Sequence, residues 1–210
     1  MARTGRFITL EGGEGAGKST QIARLKAWLE GRGHAVVATR EPGGSPGAEM
    51  VRKLLVEGPA ERWDGTTEAL LHFAARRDHL RSVVWPALSK GVWVISDRFA
   101  DSTLAYQGYG HGIDRDLITR LYDIAVGDFR PDLTLMLDLP VEIGLARAAS
   151  RRGVETRYES LPLDFHRRVR TGFLEIAARE PKRCAVIDVT KDIDTTSAAI
   201  AAALTERLGA

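Results

Sequence analysis

The chain has little of three features that would assign it to a broad class. It contains a single cysteine, Cys184, so it cannot form an internal disulfide, and no spacing of cysteine and histidine suggests zinc. It has no uncharged run of about 18 residues or more, the length needed to span a bilayer. The apolar stretch near the start is too short for a signal-peptide core. We therefore expect a cytoplasmic protein with no membrane partner.

Net charge is also nearly absent, because 30 basic and 28 acidic residues leave a formal charge of only +2. This balance gives no general attraction to nucleic acid, so we expect no such partner, and any basic site must be local. The hydrophobic fraction of 44% is ordinary for a globular chain, and 210 residues can bury a full core. We expect a single domain covering residues 1–210.

Short β-rich runs alternate with longer helical patterns along the chain. This alternation predicts an α/β fold of three layers, a five-stranded parallel sheet flanked by helices. The predicted strands are residues 7–10, 35–39, 92–96, 133–137 and 185–189. The predicted helices are one that follows residue 17 and those at 67–90, 115–129, 141–151, 163–179 and 195–208. Pro86 lies inside the helix at 67–90, where it predicts a kink.

The run EGGEGAGKST, residues 11–20, is the clearest functional signal. It holds the spacing G-x-x-x-x-G-K-S between a predicted strand and a predicted helix, as phosphate-binding loops do. Its glycines let backbone N–H groups face a phosphate, and the helix start adds a positive dipole end. Lys18 would neutralise the β- and γ-phosphates of a nucleotide, and Ser19 would ligate Mg²⁺. The residues assigned to ATP are Gly12, Gly13, Glu14, Gly15, Ala16, Gly17, Lys18, Ser19 and Thr20.

This loop alone does not separate kinases from hydrolases or nucleotide-dependent switches. A guanine-specific switch should carry Asn-Lys-x-Asp, and the nearest run, TKD at 190–192, lacks the asparagine and the spacing. Two other runs, TREPGG at 39–44 and VISDRF at 94–99, follow predicted strands and so lie where an open α/β sheet binds ligands. Asp97 could hold Mg²⁺ through water or merely pair with Arg98, and both alternatives stay open. Arg98 suits bidentate phosphate binding.

Four motifs together resemble the bacterial thymidylate kinases. They are GGEGAGKST, TREPGG, the run DRFADSTLAYQGYG at 97–110 and the run GDFRPDLTLMLDLP at 127–140, in the family's order and over essentially the whole chain. The resemblance implies a P-loop kinase fold, a homodimer, and phosphorylation of dTMP to dTDP by ATP with Mg²⁺. The rival functions are another nucleoside monophosphate or deoxynucleoside kinase and a P-loop switch without a small acceptor.

The resemblance also implies how the phosphate and metal would be held. Arg98 and Arg52 would bind the dTMP phosphate. Glu41 would lie on the metal or its waters, beside the candidate ligands Ser19 and Asp97.

Nucleoside contacts are implied in the same way. Glu14 would accept a hydrogen bond from the sugar 3′-hydroxyl, and Tyr106 would pack under the deoxyribose and crowd out a 2′-hydroxyl. Arg76, Thr103 and Gln107 would read the polar edge of thymine.

One position departs from the family pattern, which has a stacking phenylalanine four residues before the base-reading arginine. Here that residue is His72, with Phe73 next to it. One step along a helix turns about 100°, so both rings cannot face the base. Imidazole can stack on a pyrimidine with less apolar area than phenyl. We predict that His72 stacks and Phe73 packs in the core, with the reverse as the alternative.

The polar segment at residues 150–162, SRRGVETRYESLP, interrupts the rhythm of strands and helices. By itself it could be a solvated loop or a mobile lid. Some family members carry an arginine in the phosphate loop after the acid, but Gly15 stands there, and the other family arrangement places arginines in the lid. This favours an Arg-rich lid from which Arg157, with Arg152 or Arg151, enters the site on closure and excludes water.

Overall fold

The computed structural model describes residues 5–150 and 157–210. A five-stranded parallel sheet in the order β2-β3-β1-β4-β5 forms its centre. The strands are β1 (Phe7–Glu11), β2 (Val36–Arg40), β3 (Trp93–Asp97), β4 (Leu133–Asp138) and β5 (Cys184–Asp188). All five predicted strands are present, and the predicted α/β class is confirmed.

Helices cover both faces of the sheet. They are α1 (Lys18–Glu30), α2 (Pro46–Val56), α3 (Gly65–His79), α4 (Trp85–Ser89), α5 (Ala100–Thr103), α6 (Arg115–Ala125), α7 (Val141–Ala149), α8 (Leu163–Arg179) and α9 (Ile193–Leu208). On one face, α1 and α9 pack Leu29 and Leu204 onto the sheet. On the other, α3 contributes Phe73 to a cluster around Phe7 and Phe99. The three predicted layers are therefore observed.

The helix predicted over residues 67–90 is interrupted before Pro86. A π-helical segment, Leu80–Val84, joins α3 to α4, and the Trp85 N–H bonds to the carbonyl of Leu80, five residues back. Proline cannot donate to the preceding turn, so the helix widens there. The helix is therefore irregular next to Pro86, where the sequence predicts a kink.

The carboxyl ends of β1 and β3 lie side by side, because Leu10 is paired with Asp97 in the parallel register. The chain leaves these ends into the phosphate loop and into a helical segment formed by α5 and the π-helical Leu104–Gly110. Neither α2 nor this helical segment was predicted. None of the described helices is long and apolar enough to cross a bilayer.

Candidate active site

The loop between β1 and α1 curls around the side chain of Lys18. Its ammonium group donates to the carbonyls of Gly12 and Gly13, each at 3.1 Å. Gly17, the residue before α1, has a left-handed φ of +82°, which glycine adopts without strain. The loop therefore wraps around the lysine that the sequence predicts to contact a phosphate.

Gly15 also has a positive φ, and a Cβ atom there would lie 2.0 Å from the carbonyl oxygen of Gly144 on α7. A side chain would require α7 to move. An arginine after Glu14 would therefore clash with α7 as it is placed here.

The environment of Lys18 is unfavourable to its charge when no phosphate is present. Burial and the nearby guanidinium of Arg98 lower the pKa of Lys18 to about 8, although Asp97 and Glu14 act in the opposite direction. A bound polyphosphate would supply the missing negative charge.

Arg98 follows β3 in a left-handed conformation, with φ +69°, which is uncommon for a residue other than glycine. Its Nη1 donates to the Gly12 carbonyl at 2.9 Å and to Ser102 Oγ at 3.1 Å, and its Nη2 contacts Glu14 Oε1 at 3.2 Å. The guanidinium thus lies against the phosphate loop. Backbone strain at such a position is typical of functional sites.

Glu11, the last residue of β1, fixes the segment that carries Arg98. Its carboxyl group is fully buried and accepts hydrogen bonds from the Phe99 N–H at 2.7 Å and from Ser102 Oγ at 2.5 Å. Burial, together with Asp101, raises the pKa of Glu11 to about 8. Sequence reasoning missed this residue, although an acid at the end of a buried strand was a signal.

Ser19 and Asp97 come together, with Ser19 Oγ 3.4 Å from Asp97 Oδ2. No group of three or more histidine, cysteine or acidic side chains among the described residues could hold a metal by itself. A hydroxyl and one carboxylate fit Mg²⁺, which usually keeps waters and uses substrate phosphates as further ligands. The donor set is therefore suited to Mg²⁺ bound with a nucleotide.

Glu41 is placed differently from the predicted metal ligand. It is buried, and Oε2 accepts from Arg76 Nε at 2.8 Å while Oε1 lies 2.9 Å from His79 Nδ1. His79 Nε2 in turn lies 2.7 Å from the hydroxyl of Thr39. Because both oxygens of Glu41 are engaged within this network, the geometry favours the positioning of Arg76, and the predicted metal role stays a prediction.

Arg76 is held on two sides. Beyond its bond to Glu41, Nη2 donates to the Phe99 carbonyl and to Thr103 Oγ1, each at 3.1 Å. Its remaining nitrogen, Nη1, is buried and has no hydrogen-bond partner among the described residues. The hydroxyl of Thr103 therefore helps to orient the Arg76 guanidinium.

Gln107 complements Arg76, because its unpartnered atom among the described residues is an acceptor and not a donor. Its Nε2 donates to Glu68 Oε2 at 2.9 Å, whereas its Oε1 is buried with no partner in the described part of the chain. One donor, on Arg76, and one acceptor, on Gln107, are thus without a partner in the described part of the chain.

His72 and Phe73 point to different environments. His72 lines the cavity beside the phosphate loop, and Phe73, 3% exposed, packs in the core near Phe99. Burial and the charge of Arg76 lower the pKa of His72 to about 3, so its ring is neutral. This placement favours the predicted division of roles between the two residues.

Tyr106 and Glu14 are hydrogen-bonded to each other. The Tyr106 hydroxyl donates to Glu14 Oε1 at 2.7 Å, and the Arg98 guanidinium lies 5.0 Å from the Tyr106 ring centre. Burial acts to raise the pKa of Glu14, but the charges of Arg98 and Lys18 outweigh it and lower that pKa. Glu14 is therefore an ionised acceptor beside an aromatic ring.

The two further predicted arginines differ in position. Arg52 lines the cavity and donates to the Pro42 carbonyl at 2.6 Å. Arg157 is 4% exposed, and its guanidinium forms an ion pair with Glu68 and donates to the Leu55 carbonyl at 3.2 Å.

Arg157 thus does not reach the phosphate loop in this arrangement, and its predicted entry into the site on closure stays a prediction. A buried partner on α3, Glu68, holds this side chain inside the protein. Arg151 and Arg152 lie outside the described residues.

A cavity of about 210 Å³ connects the phosphate loop with the region around His72 and Gln107. Its lining includes Lys18 and Ser19 at one end and His72 and Gln107 at the other, with Arg98 between them. It lies at the carboxyl ends of the parallel strands, where open α/β sheets bind their ligands.

A five-stranded parallel sheet, a phosphate loop with its lysine, and the cationic residues Arg52 and Arg98 in the adjoining cavity are the features of a P-loop nucleotide kinase. The family model described as thymidylate kinase matches residues 10–200. The chain belongs to the thymidylate kinase family.

Its relatives agree with this assignment. The chain is 56% identical to a thymidylate kinase of Caulobacter vibrioides over 205 residues, which cover 98% of each chain. It is 52% identical to a thymidylate kinase of Bradyrhizobium sp., covering 97% of this chain and 91% of the relative. The crystal structure of a thymidylate kinase from Ehrlichia chaffeensis superposes with a TM-score of 0.78 at 35% identity, covering 95% of this chain and 98% of that one.

Proposed function

We propose that this protein transfers the γ-phosphoryl group of ATP to dTMP, giving dTDP and ADP. Membership of the thymidylate kinase family supports the reaction class and ATP as the donor. The observation that carries the choice of acceptor is the pair of buried, unpartnered groups, Nη1 of Arg76 and Oε1 of Gln107.

These two groups match the polar edge of thymine. Thymine presents a carbonyl oxygen next to an N–H, which a guanidinium donor and an amide acceptor can satisfy together. Cytosine presents an amino group next to an unprotonated nitrogen, the reverse pattern. A buried group left unsatisfied costs about 1–3 kcal/mol, so the wrong base is penalised at both positions.

The sugar contacts support a deoxyribonucleotide. Tyr106 lies at the cavity with its hydroxyl on Glu14, so the carboxylate can accept a hydrogen bond from a 3′-hydroxyl while the ring leaves little room at the 2′ position. We propose these two residues as the basis of the preference for deoxyribose.

Phosphoryl transfer requires two anions to meet, and the dTMP oxygen is already nucleophilic without a base. Catalysis then depends on neutralising charge and aligning the two groups. Lys18 and Arg98 supply fixed positive charge at the loop, and Arg52 is the further candidate on the acceptor side. Ser19 and Asp97 would hold Mg²⁺, which when bound neutralises charge on the β- and γ-phosphates.

The predicted role of an arginine from segment 150–162 depends on a change in conformation. Arg157 could reach the transferring group only if its buried ion pair with Glu68 opened. Arg152 remains the other predicted donor. The pair Lys18 and Arg98 therefore carries the proposed mechanism.

We further propose a homodimer formed through α2, α3 and α6. These helices expose large apolar side chains, namely Met50, Leu54, Leu70 and Ile124. Light scattering of the wild type and of Ile124→Lys would test this, with a monomeric wild type contradicting it. The predicted cytoplasmic location stays a prediction.

The function is tested by measuring ADP release from ATP with dTMP, dUMP, dCMP or thymidine, or with no acceptor. We expect rapid release with dTMP and little without it. A preference for another acceptor would identify a different nucleotide kinase. Slow hydrolysis that is indifferent to dTMP would indicate a switch.

A further inference from the structure

Glu68 on α3 is a fully buried carboxylate with both oxygens engaged. Its Oε2 accepts from Gln107 Nε2 at 2.9 Å and from the Tyr158 hydroxyl at 3.2 Å, and its Oε1 pairs with the Arg157 guanidinium. His111 Nε2 lies 3.4 Å from Oε2. One acidic side chain therefore joins two separate segments of the chain, residues 107–111 and 157–158, next to the cavity.

The charge state of Glu68 decides which way the Gln107 amide faces. Burial alone raises the pKa of Glu68, but the contact with His111 and the hydrogen bonds from Arg157 and Gln107 lower it to about 2. An ionised carboxylate can only accept hydrogen bonds, so the Gln107 atom that faces it must be the amide nitrogen. The amide oxygen is thereby left for the ligand.

Glu68 reaches a second pocket residue through Tyr158. The single hydroxyl proton of Tyr158 is donated to Glu68, so the same oxygen can only accept from His72 Nε2, which lies 3.2 Å away. Because His72 is neutral, this contact places its proton on Nε2 and fixes the plane of the ring that lines the cavity.

We propose that Glu68 is a positioning residue that sets base specificity: it holds the Gln107 amide with its oxygen toward the base and, through Tyr158, orients the His72 ring. The proposal rests on the proposed function, since it names how that site distinguishes thymine from cytosine. If the amide of Gln107 could rotate, its N–H₂ group would face the unprotonated ring nitrogen of cytosine and accept the wrong base.

A purely structural role for Glu68, as the counter-charge of Arg157, predicts a different outcome. Loss of that ion pair would lower folding stability and reduce turnover of all acceptors alike. Only a positioning role changes the ratio between acceptors.

The decisive measurement is the ratio of kcat/KM for dTMP to that for dCMP. In Glu68→Gln we expect this ratio to fall about tenfold or more, chiefly through a higher KM for dTMP, with the KM for ATP unchanged. Glu206→Gln on the exposed face of α9 makes the same chemical change away from the site and should leave the ratio as in the wild type.

Two further variants separate the effect of Glu68 on His72 from its effect on Gln107. Tyr158→Phe keeps the ring and removes the contacts of its hydroxyl with His72 and Glu68, while Gln107 and Arg157 still contact Glu68, so the KM should rise for dTMP and dCMP together with little change in their ratio. In a Gln107→Leu background the amide is gone, and Glu68→Gln should then no longer alter the ratio.

Because Glu68→Gln leaves Arg157 without its counter-charge, Glu68→Asp serves as a second variant if the first fails to fold. It keeps the charge but withdraws it by one methylene, and it should lower the ratio in the same direction by a smaller factor. An unchanged ratio in the folded variant, or an equal change with and without Gln107, would overturn the inference while leaving the proposed function intact. A wild type that does not phosphorylate dTMP would overturn both.

Discussion

Replacing Glu41 with glutamine distinguishes its two possible roles, metal ligand and anchor of Arg76. The side chains of Glu41 and Arg76 are 3% and 2% exposed, so their ion pair is shielded from water. Removing one member of a buried pair costs about 3–5 kcal/mol, because the other charge is left uncompensated. Glutamine keeps an amide oxygen for Arg76 Nε, so we take the low end, about 3 kcal/mol.

A loss of that size should be visible in thermal unfolding. For a domain of this length, 1 kcal/mol corresponds to a shift of about 2–4 °C, so Glu41→Gln should unfold about 6–12 °C below the wild type. The matched control is Asp194→Asn, which removes an exposed pair with Arg24 and should change Tm little, since exposed pairs contribute little.

The same variant should raise the KM for dTMP, because Arg76 loses its fixed orientation, and should leave the Mg²⁺ concentration for half-maximal activity unchanged. Calorimetry and a magnesium titration of activity measure the two effects. A wild-type Tm combined with a strongly raised magnesium requirement would refute the reasoning and return Glu41 to the metal.

Three further predictions concern the phosphate loop, the stacking position and the buried arginine. ADP affinity should fall as pH rises through about 8, because Lys18 loses its proton there in the unliganded protein. Lys18→Met should bind ADP weakly at every pH, and an ADP affinity of the wild type that does not change with pH would contradict this. His72→Ala should raise the dTMP KM with little loss of stability, whereas Phe73→Ala should cost about 3–5 kcal/mol of folding stability. A larger rise of the dTMP KM in Phe73→Ala would mean that Phe73, not His72, stacks on thymine. Arg157→Ala should lower Tm by orphaning Glu68, and an unchanged Tm with a collapse of kcat would restore its predicted catalytic place.

The strands could be predicted from sequence because a parallel sheet covered on both faces reads as short, continuous apolar runs. β1 is buried at every position, and the predicted and observed strands differ by one residue at most at each end. The phosphate loop could also be predicted from sequence, since its chemistry depends on local backbone shape.

The helical segments that were missed have different explanations. The start of α2 carries a recognisable signal, Ser45 followed by Pro46 at the first helical position, so it could have been found. Leu104–Gly110 could not, because its glycines suit close packing: a Cβ atom on Gly110 would lie 2.5 Å from the ring of Phe165 on α8. That reason exists only in the folded chain.

The site residues divide in the same way. Arg98 and Tyr106 lie in a motif that is local in sequence. The ion pair that buries Arg157 joins it to Glu68, 89 residues away, and the network around Glu41 depends on His79, which no local pattern distinguishes from a surface histidine. Contacts between distant segments decided the positions that sequence reasoning did not anticipate.

A crystal structure with bound dTMP tests the central claim most directly. The account predicts the thymine ring against His72, its carbonyl within hydrogen-bond distance of Arg76 Nη1, its ring N–H on Gln107 Oε1, and its phosphate at Arg98. Thymine bound elsewhere, or with its polar edge turned away from Arg76 and Gln107, would contradict the account.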